Sequence, residues 1–214
     1  MQAGLFDTIS TMRAMRRLKP DLVPEDLIEK ILRAGQAAPN GGNTQEWGVL
    51  VVRDEAVKQA VQVLYQKAYD EYVGGGYAAR LAAMPGGDER DRYARQVAAV
   101  EHLTRNYHKA PVWLVACLKV GPRGANPMSG ASIYPAVQNM LLAARALGLG
   151  ATLTTRHMIF GDEVDAILGL PEGVKSFAIV PVGYPEGRFG PVRREPLESF
   201  AHDGEWGKPF TAAG

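Results

Sequence analysis

Two stretches near the start of the chain carry residue types that could do chemistry. In the first, Arg13, Arg16, Arg17 and Lys19 fall within seven residues, inside Thr11-Met-Arg-Ala-Met-Arg-Arg-Leu-Lys-Pro20. The whole chain has a formal charge of only +1, so this is a local deposit of charge and not part of a basic protein. The nearest acids, Asp21 and Glu25, are too few to neutralise four cations. Guanidinium forks match phosphate oxygens bidentately, so a bound anion suits the cluster. A solvated basic helix end is the plainer reading, and it would suit the negative end of a helix dipole. Pro20 stops any helix at about Lys19, because the residue before a proline is pushed out of the α region.

The second stretch is Ala38-Pro-Asn-Gly-Gly-Asn-Thr-Gln45. Gly41 and Gly42 allow close backbone approach to a ligand. Asn43 and Gln45 supply amide donors and acceptors together, which suits the polar edge of a planar heterocycle. A helix-ending turn explains the glycines but not the amides that flank them.

Other chemistries lack support. There is no Cys-x-x-Cys, no His-Glu-x-x-His and no Gly-x-Ser-x-Gly. His102 and His108 lie six apart, off a common helical face, while His157 and His202 stand alone, so no metal site is expected. An acyl-transfer nucleophile has no motif behind it. Gly148-Leu-Gly150-Ala-Thr-Leu153 half-matches a dinucleotide fingerprint, but the third glycine is missing and the stretch follows a helix pattern instead of opening one. Gly148 is better read as a helix C-cap.

The bulk numbers bound the rest. A chain of 214 residues, 46% hydrophobic, can build one domain with a full core, here taken as 1–214. The near-zero charge argues against nucleic acid as partner. A single cysteine, Cys117, excludes an intrachain disulfide and fits a reducing cytosol. It sits in Val112-Trp-Leu-Val-Ala-Cys-Leu118, which reads as a buried strand and an inert thiol. No apolar run spans a bilayer, and Met1–Asp7 lacks the pattern of a signal peptide. The expectation is a soluble, cytoplasmic chain with no membrane partner.

Elements that position these residues follow from periodicity. Helices are expected at 4–12, from Pro24 to before Pro39, and at 55–72, 88–106, 132–147 and 160–168. Strands are expected at 47–53, 111–119, 149–154 and 176–183, with a Gly/Pro loop at 121–130. Gly74-Gly-Gly76 and Pro85-Gly-Gly87 break the pattern and bracket Tyr77, Arg80, Leu81 and Met84. Loops of that kind are often functional, so 73–105 is a candidate lid hinged by its glycines. Helices interleaved with buried strands give a layered α/β arrangement.

The order Arg-rich turn, helix, Ala-Pro-x-Gly-Gly-Asn-x-Gln-x-Trp loop and apolar strand resembles the N-terminal third of the nitroreductase family. Gln138-Asn-Met-Leu-Leu-Ala-Ala-Arg-Ala-Leu-Gly-Leu-Gly-Ala151, Val180-Pro-Val-Gly-Tyr-Pro185 and Arg194-Glu-Pro-Leu-Glu198 extend the likeness over about residues 8–200, weakest at 70–105. The resemblance implies an α+β fold with a mixed central sheet flanked by helices, in an intertwined homodimer with a C-terminal arm. It implies FMN as cofactor and NAD(P)H as co-substrate. By ping-pong exchange, electrons would pass to a flat, electron-poor aromatic acceptor such as a nitroaromatic or quinone. Reductive dehalogenation, flavin fragmentation, dehydrogenation, or flavin sensing without turnover are the alternatives on the same scaffold.

Carried over by residue, the family's Arg-Arg-Ser-x-Arg phosphate segment falls on Met12, Arg13, Ala14 and Arg16, so two polar positions are apolar here and Arg17 is a candidate substitute. Pro39, Asn40 and Gly41 match a segment that touches the flavin from the partner subunit. Asn43 and Gln45 suit the flavin edge. Thr154 and Thr155 match the strand end near flavin N5 and O4, and Arg194 matches the tail arginine that completes the phosphate site. No side-chain acid or base stands out as catalytic; positioning and electrostatics are expected to do the work.

Overall fold

The computed structural model describes residues 4–121, 124–126 and 128–211. Four strands, β1 (Trp47–Val52), β2 (Val112–Lys119), β3 (Gly150–Ala151) and β4 (Val174–Gly183), form one sheet in the order β1-β2-β4-β3. β2 is buried at every residue but Lys119, because it lies inside the sheet with both faces covered. Its side chains alternate as the pleat requires. Val112, Leu114, Ala116 and Leu118 join one core, with Ile31, Val137 and Met140 from helices α2 (Glu25–Gln36) and α6 (Ser129–Ala146). Trp113, Val115 and Cys117 join a second core on the other face. There they meet Val61 and Tyr65 of α3 (Glu55–Ala68), Leu103 of α5 (Asp88–Arg105) and Val164 of α7 (Gly161–Ile167). The chain is thus helix, sheet, helix in cross-section, an α+β fold.

Two expectations are corrected. All three strand pairs, β1·β2, β2·β4 and β3·β4, are antiparallel, where the resemblance implied a mixed sheet. Within this chain no segment after β4 pairs along an edge of β1, so no parallel neighbour arises among the described residues. The first helix, α1 (Leu5–Thr11), lies within the expected 4–12. Residues 12–20 are laced along the far side of the sheet: Met15 N–H donates to Ala151 O (3.0 Å), Lys19 N–H to Tyr184 O (2.8 Å), and Glu186 N–H to Arg17 O (3.1 Å). These long-range bonds outcompete the local helical ones.

The second correction concerns the glycines. Gly74, Gly75 and Gly76 do not break the chain; they open α4 (Gly74–Ala83), joined to α3 by a π-helical turn, Tyr69–Val73. A Cβ on Gly74 would sit 2.9 Å from the Tyr69 ring and 3.1 Å from its carbonyl oxygen. The π-helical turn therefore needs glycine at that point. Gly148 behaves as expected: at φ 78° it closes α6 in a Schellman motif, with its N–H on Arg145 O and that of Leu149 on Ala144 O. The loop expected at 121–130 lies partly outside the described residues. No described helix is long and apolar enough to cross a membrane, and the described residues hold no cluster of metal-ligating side chains.

Candidate functional site

In an extended segment consecutive side chains point to opposite sides, and this separates the arginines. Arg16 turns inward, into a cavity of about 400 Å³ that it shares with Tyr65, Tyr77, Thr154, Thr155 and Arg156. Arg17 points the other way, where its Nη1 lies 3.1 Å from His102 Nδ1. Burial lowers the pKa of Arg16, and Arg156 nearby adds to the effect; a guanidinium nevertheless stays charged in a protein. Gly150 holds this segment close. Its missing Cβ would fall 2.8 Å from Leu18 Cδ2 and 2.9 Å from Met15 Cβ.

Thr154 and Thr155 stand at the end of β3 but differ in availability. The Thr154 hydroxyl donates to Ile179 O at 2.6 Å and lies 2.5 Å from the Tyr107 hydroxyl. Its one proton is used, so Tyr107 must be the donor in the second contact. Burial raises the Tyr107 pKa well above its ordinary value, so the phenol keeps that proton. Thr154 is a buried brace, while Thr155 is exposed and lines the cavity.

Arg13 and Arg145 lie where the tail returns. Val192 N–H donates to Ser10 O (2.9 Å), and Gly190 passes 3.9 Å from Arg13 Nη1, measured to the position of an added Cβ. Arg145 donates from Nε to Thr11 Oγ1 (3.0 Å) and stacks on Phe189 at 4.2 Å. Arg194 follows two residues after Val192 and is exposed, its Nη1 donating to Arg193 O (2.8 Å). Arg13 and Ala14 are exposed as well.

The loop Pro39 to Gln45 lies elsewhere. Asn40 Oδ1 accepts from Gln45 N–H (3.0 Å), and Gly41 N–H donates to Ser132 Oγ (3.2 Å). Gly42, Asn43 and Gln45 have φ of 59°, 52° and 53°. Two non-glycine residues in the left-handed region are strain of the kind that collects at binding loops. This loop leads into β1, at one edge of the sheet, whereas Thr155 follows β3 at the other. One chain therefore brings Arg16 and Thr155 together but leaves the amide loop apart from them.

Sequence reasoning missed Tyr65, Tyr107 and Arg156. Tyr65 packs flat on Tyr107 (centroids 4.0 Å, 8° between planes), and Tyr107 on Trp113 (4.5 Å). The signal for Tyr65 was present, since Lys58, Val61, Tyr65 and Ala68 share the buried face of α3 at helical spacing. Arg156 was readable only as the neighbour of Thr155.

Residues 9–184 match the family described as Nitroreductase family. The NADH dehydrogenase of Thermus thermophilus is 31% identical over 192 residues, covering 87% of this chain and 89% of that one. Human iodotyrosine deiodinase 1 is 25% identical over 205 residues, which is 90% of this chain but only 66% of the human protein. A nitroreductase with bound FMN from Desulfitobacterium hafniense superposes with a TM-score of 0.66 at 21% identity, over 91% of this chain and 96% of its own. The layered fold, the arginine segment laid along the sheet and the matched residues agree: this chain belongs to the nitroreductase family.

Proposed function

We propose that the chain binds FMN in the cavity shared by Arg16 and Thr155, and passes electrons from NAD(P)H to a flat aromatic acceptor. One observation carries this reading: a desolvated guanidinium and an exposed strand-end threonine face each other across one cavity with aromatic walls. That donor set fits a planar heterocycle whose edges carry hydrogen-bond acceptors. Arg13, Arg194 and Arg145, beside the returning tail, fit its phosphate. When bound, FMN supplies the two-electron redox chemistry. Arg16 would hold negative charge on the ring edge, Thr155 would offer its hydroxyl and backbone N–H, and Tyr107 would keep Thr154 and the strand end in place. The Thermus relative's name supports a reduced nicotinamide as donor.

The same reading includes a homodimer. Pro39, Asn40, Gly41, Asn43 and Gln45 cannot reach their own chain's cavity, so a second copy would deliver them across a twofold axis. Exposed apolar residues suit such an interface: Phe6 on α1 is 82% exposed, and Phe200 and Trp206 in the tail are 82% and 89% exposed. An open groove of about 540 Å³ beside β1, lined by Gln45 to Leu50 and Val174, could receive a partner's tail. A cytoplasmic location fits the lone buried thiol of Cys117, whose pKa burial raises to about 11. Similarity to the deiodinase favours reductive dehalogenation as a second reading of the same site.

The test is purification followed by absorbance spectroscopy and steady-state oxidation of NADH and NADPH with nitroaromatics, quinones and halophenols. Noncovalent FMN released on heating, and turnover with one acceptor class, is the expected result. Reconstituted protein that takes FAD or no flavin at all refutes it.

A further inference from the structure

One group at the cavity has no part in the reading above. Arg156 lies against two rings at once, with its guanidinium carbon 4.5 Å from the Tyr65 centroid and 4.8 Å from that of Tyr69. Its Nη1 donates to Thr104 Oγ1 at 2.7 Å. Tyr65 is itself stacked on Tyr107, and the Tyr69 hydroxyl donates to Glu101 Oε1 at 3.2 Å. The head group is thus held by a pile of aromatic rings that reaches down to Trp113 in the sheet. A flexible side chain immobilised in advance loses little further freedom on binding a ligand.

Its charge is not answered. Among the described residues no carboxylate lies within 4 Å of either Arg156 or Arg16. The nearest acid in this network, Glu101, is engaged with Tyr69 and lies 3.8 Å from Arg105. A guanidinium has five N–H donors, and only one of those on Arg156 has a described partner. Arg156 is half-buried and lines the cavity beside Thr155. Two like charges share that wall, and each disfavours the other until an anion lies between or beside them.

We propose that Arg156 is a specificity-determining residue: its guanidinium, fixed between Tyr65 and Tyr69, selects acceptors that are aromatic anions, with a carboxylate or phenolate on the ring. The aromatic and aliphatic walls take the ring, and Arg156 takes the charge. The assignment rests on the flavin reading for the word acceptor, but not for the binding of the anion.

The experiment is calorimetric titration of the protein as purified with benzoate, with benzamide as the neutral isostere, and with inorganic phosphate. It is repeated with Arg156→Gln and Arg156→Lys, and flavin content is measured in each. Benzoate should bind the parent more tightly than benzamide. Arg156→Gln should lose roughly ten- to a hundredfold of the benzoate affinity, as for one charge-assisted hydrogen bond. Benzamide binding should stay unchanged, and Arg156→Lys should recover part of the loss. Where flavin is present, the ratio of kcat/KM for nitrobenzoate over nitrobenzamide should fall in parallel. Equal loss of both ligands would mean that Arg156 only props the wall and would overturn the proposal. So would phosphate competing while benzoate does not, or loss of flavin from Arg156→Gln, which would assign the residue to the cofactor. Absence of flavin from the parent defeats the electron-transfer reading alone, because the titration does not need it.

Discussion

Acid should destabilise this protein through one residue, His157. Its side chain is fully buried, and neither ring nitrogen reaches a hydrogen-bond partner among the described residues. Desolvation lowers its pKa from 6.5 to about 4; the charge of Asp165 and a nearby Ser176 backbone group, outside hydrogen-bond geometry, oppose the shift without reversing it. Asp165 is already occupied, accepting from the Ser176 hydroxyl at 2.5 Å and from its N–H at 3.1 Å. The folded state therefore binds fewer protons than the unfolded chain between about pH 4 and 6.5. Stability from a neutral His157 is complete above 6.5 and is lost as pH falls toward the folded pKa. A shift of that size amounts to about 3 kcal/mol in all, of which about 2 kcal/mol is gone by pH 5.

The assay is urea denaturation at fixed protein concentration from pH 7.5 to 4.5, comparing the parent with His157→Leu and His157→Gln. The concentration is fixed because subunit association would otherwise move the midpoint. His102 and His108, whose pKa values burial also lowers, remain in all three proteins and cancel in the difference. Both variants should show a shallower loss toward acid, the gap closing by about 2 kcal/mol at pH 5. Parallel curves would refute the reasoning and would mean that the ring is hydrated or bonded in solution.

Other expectations follow from the site. Arg16→Ala should weaken FMN binding roughly ten- to a hundredfold, while Arg17→Ala, whose guanidinium faces His102, should stay near the parent; fluorescence titration with FMN separates them. Gly150→Ala should push residues 15–18 off β3 at a cost of roughly 1–3 kcal/mol, read as a lower Tm together with weaker flavin retention. Removing the chain from Leu197 onward should give a flavin-poor monomer by light scattering, and a flavin-loaded monomer would defeat the dimer reading. Replacing residues 75–86 by a short Gly-Ser linker should keep FMN but change relative rates across the acceptor panel, since Tyr77 on α4 lines the cavity.

Legibility in the sequence tracked how local each cause was. β1, β2 and β4 and the helices α2, α5 and α6 were readable because their patterns are set by which faces the sheet buries. The extended course of the arginine segment was not readable, because the bonds that straighten it come from Ala151 and Tyr184, more than a hundred residues away. Gly74 was misread because its reason is a close approach to Tyr69, invisible until the turn is built, while a Cβ on Gly75 or Gly76 would meet open space. Of the expected site residues, Arg16, singled out by its charge, and Thr155, carried over from the family resemblance, line one cavity. Tyr107 and Arg156 were not foreseen, since a stack assembled from α3, β2 and the residues after β3 has no linear signature.

The π-helical turn has a consequence for rotational phase. The Gly74 N–H reaches back five residues to Tyr69 O, so the run Tyr69–Val73 holds one residue more than an α-helix would. Each residue turns a helix by about 100° and lengthens it by about 1.5 Å. Deleting one residue here would barely shorten the element, yet it would swing α4 by more than a quarter-turn. Tyr77, now 6.3 Å from the Tyr69 ring centroid and 6.5 Å from that of Tyr93, would leave the cavity wall, and Arg80 would leave its place 4.9 Å above Tyr93. The length of this turn works as an angular setting. Insertions and deletions within it would re-aim the cavity wall while leaving the sheet and the arginine segment untouched.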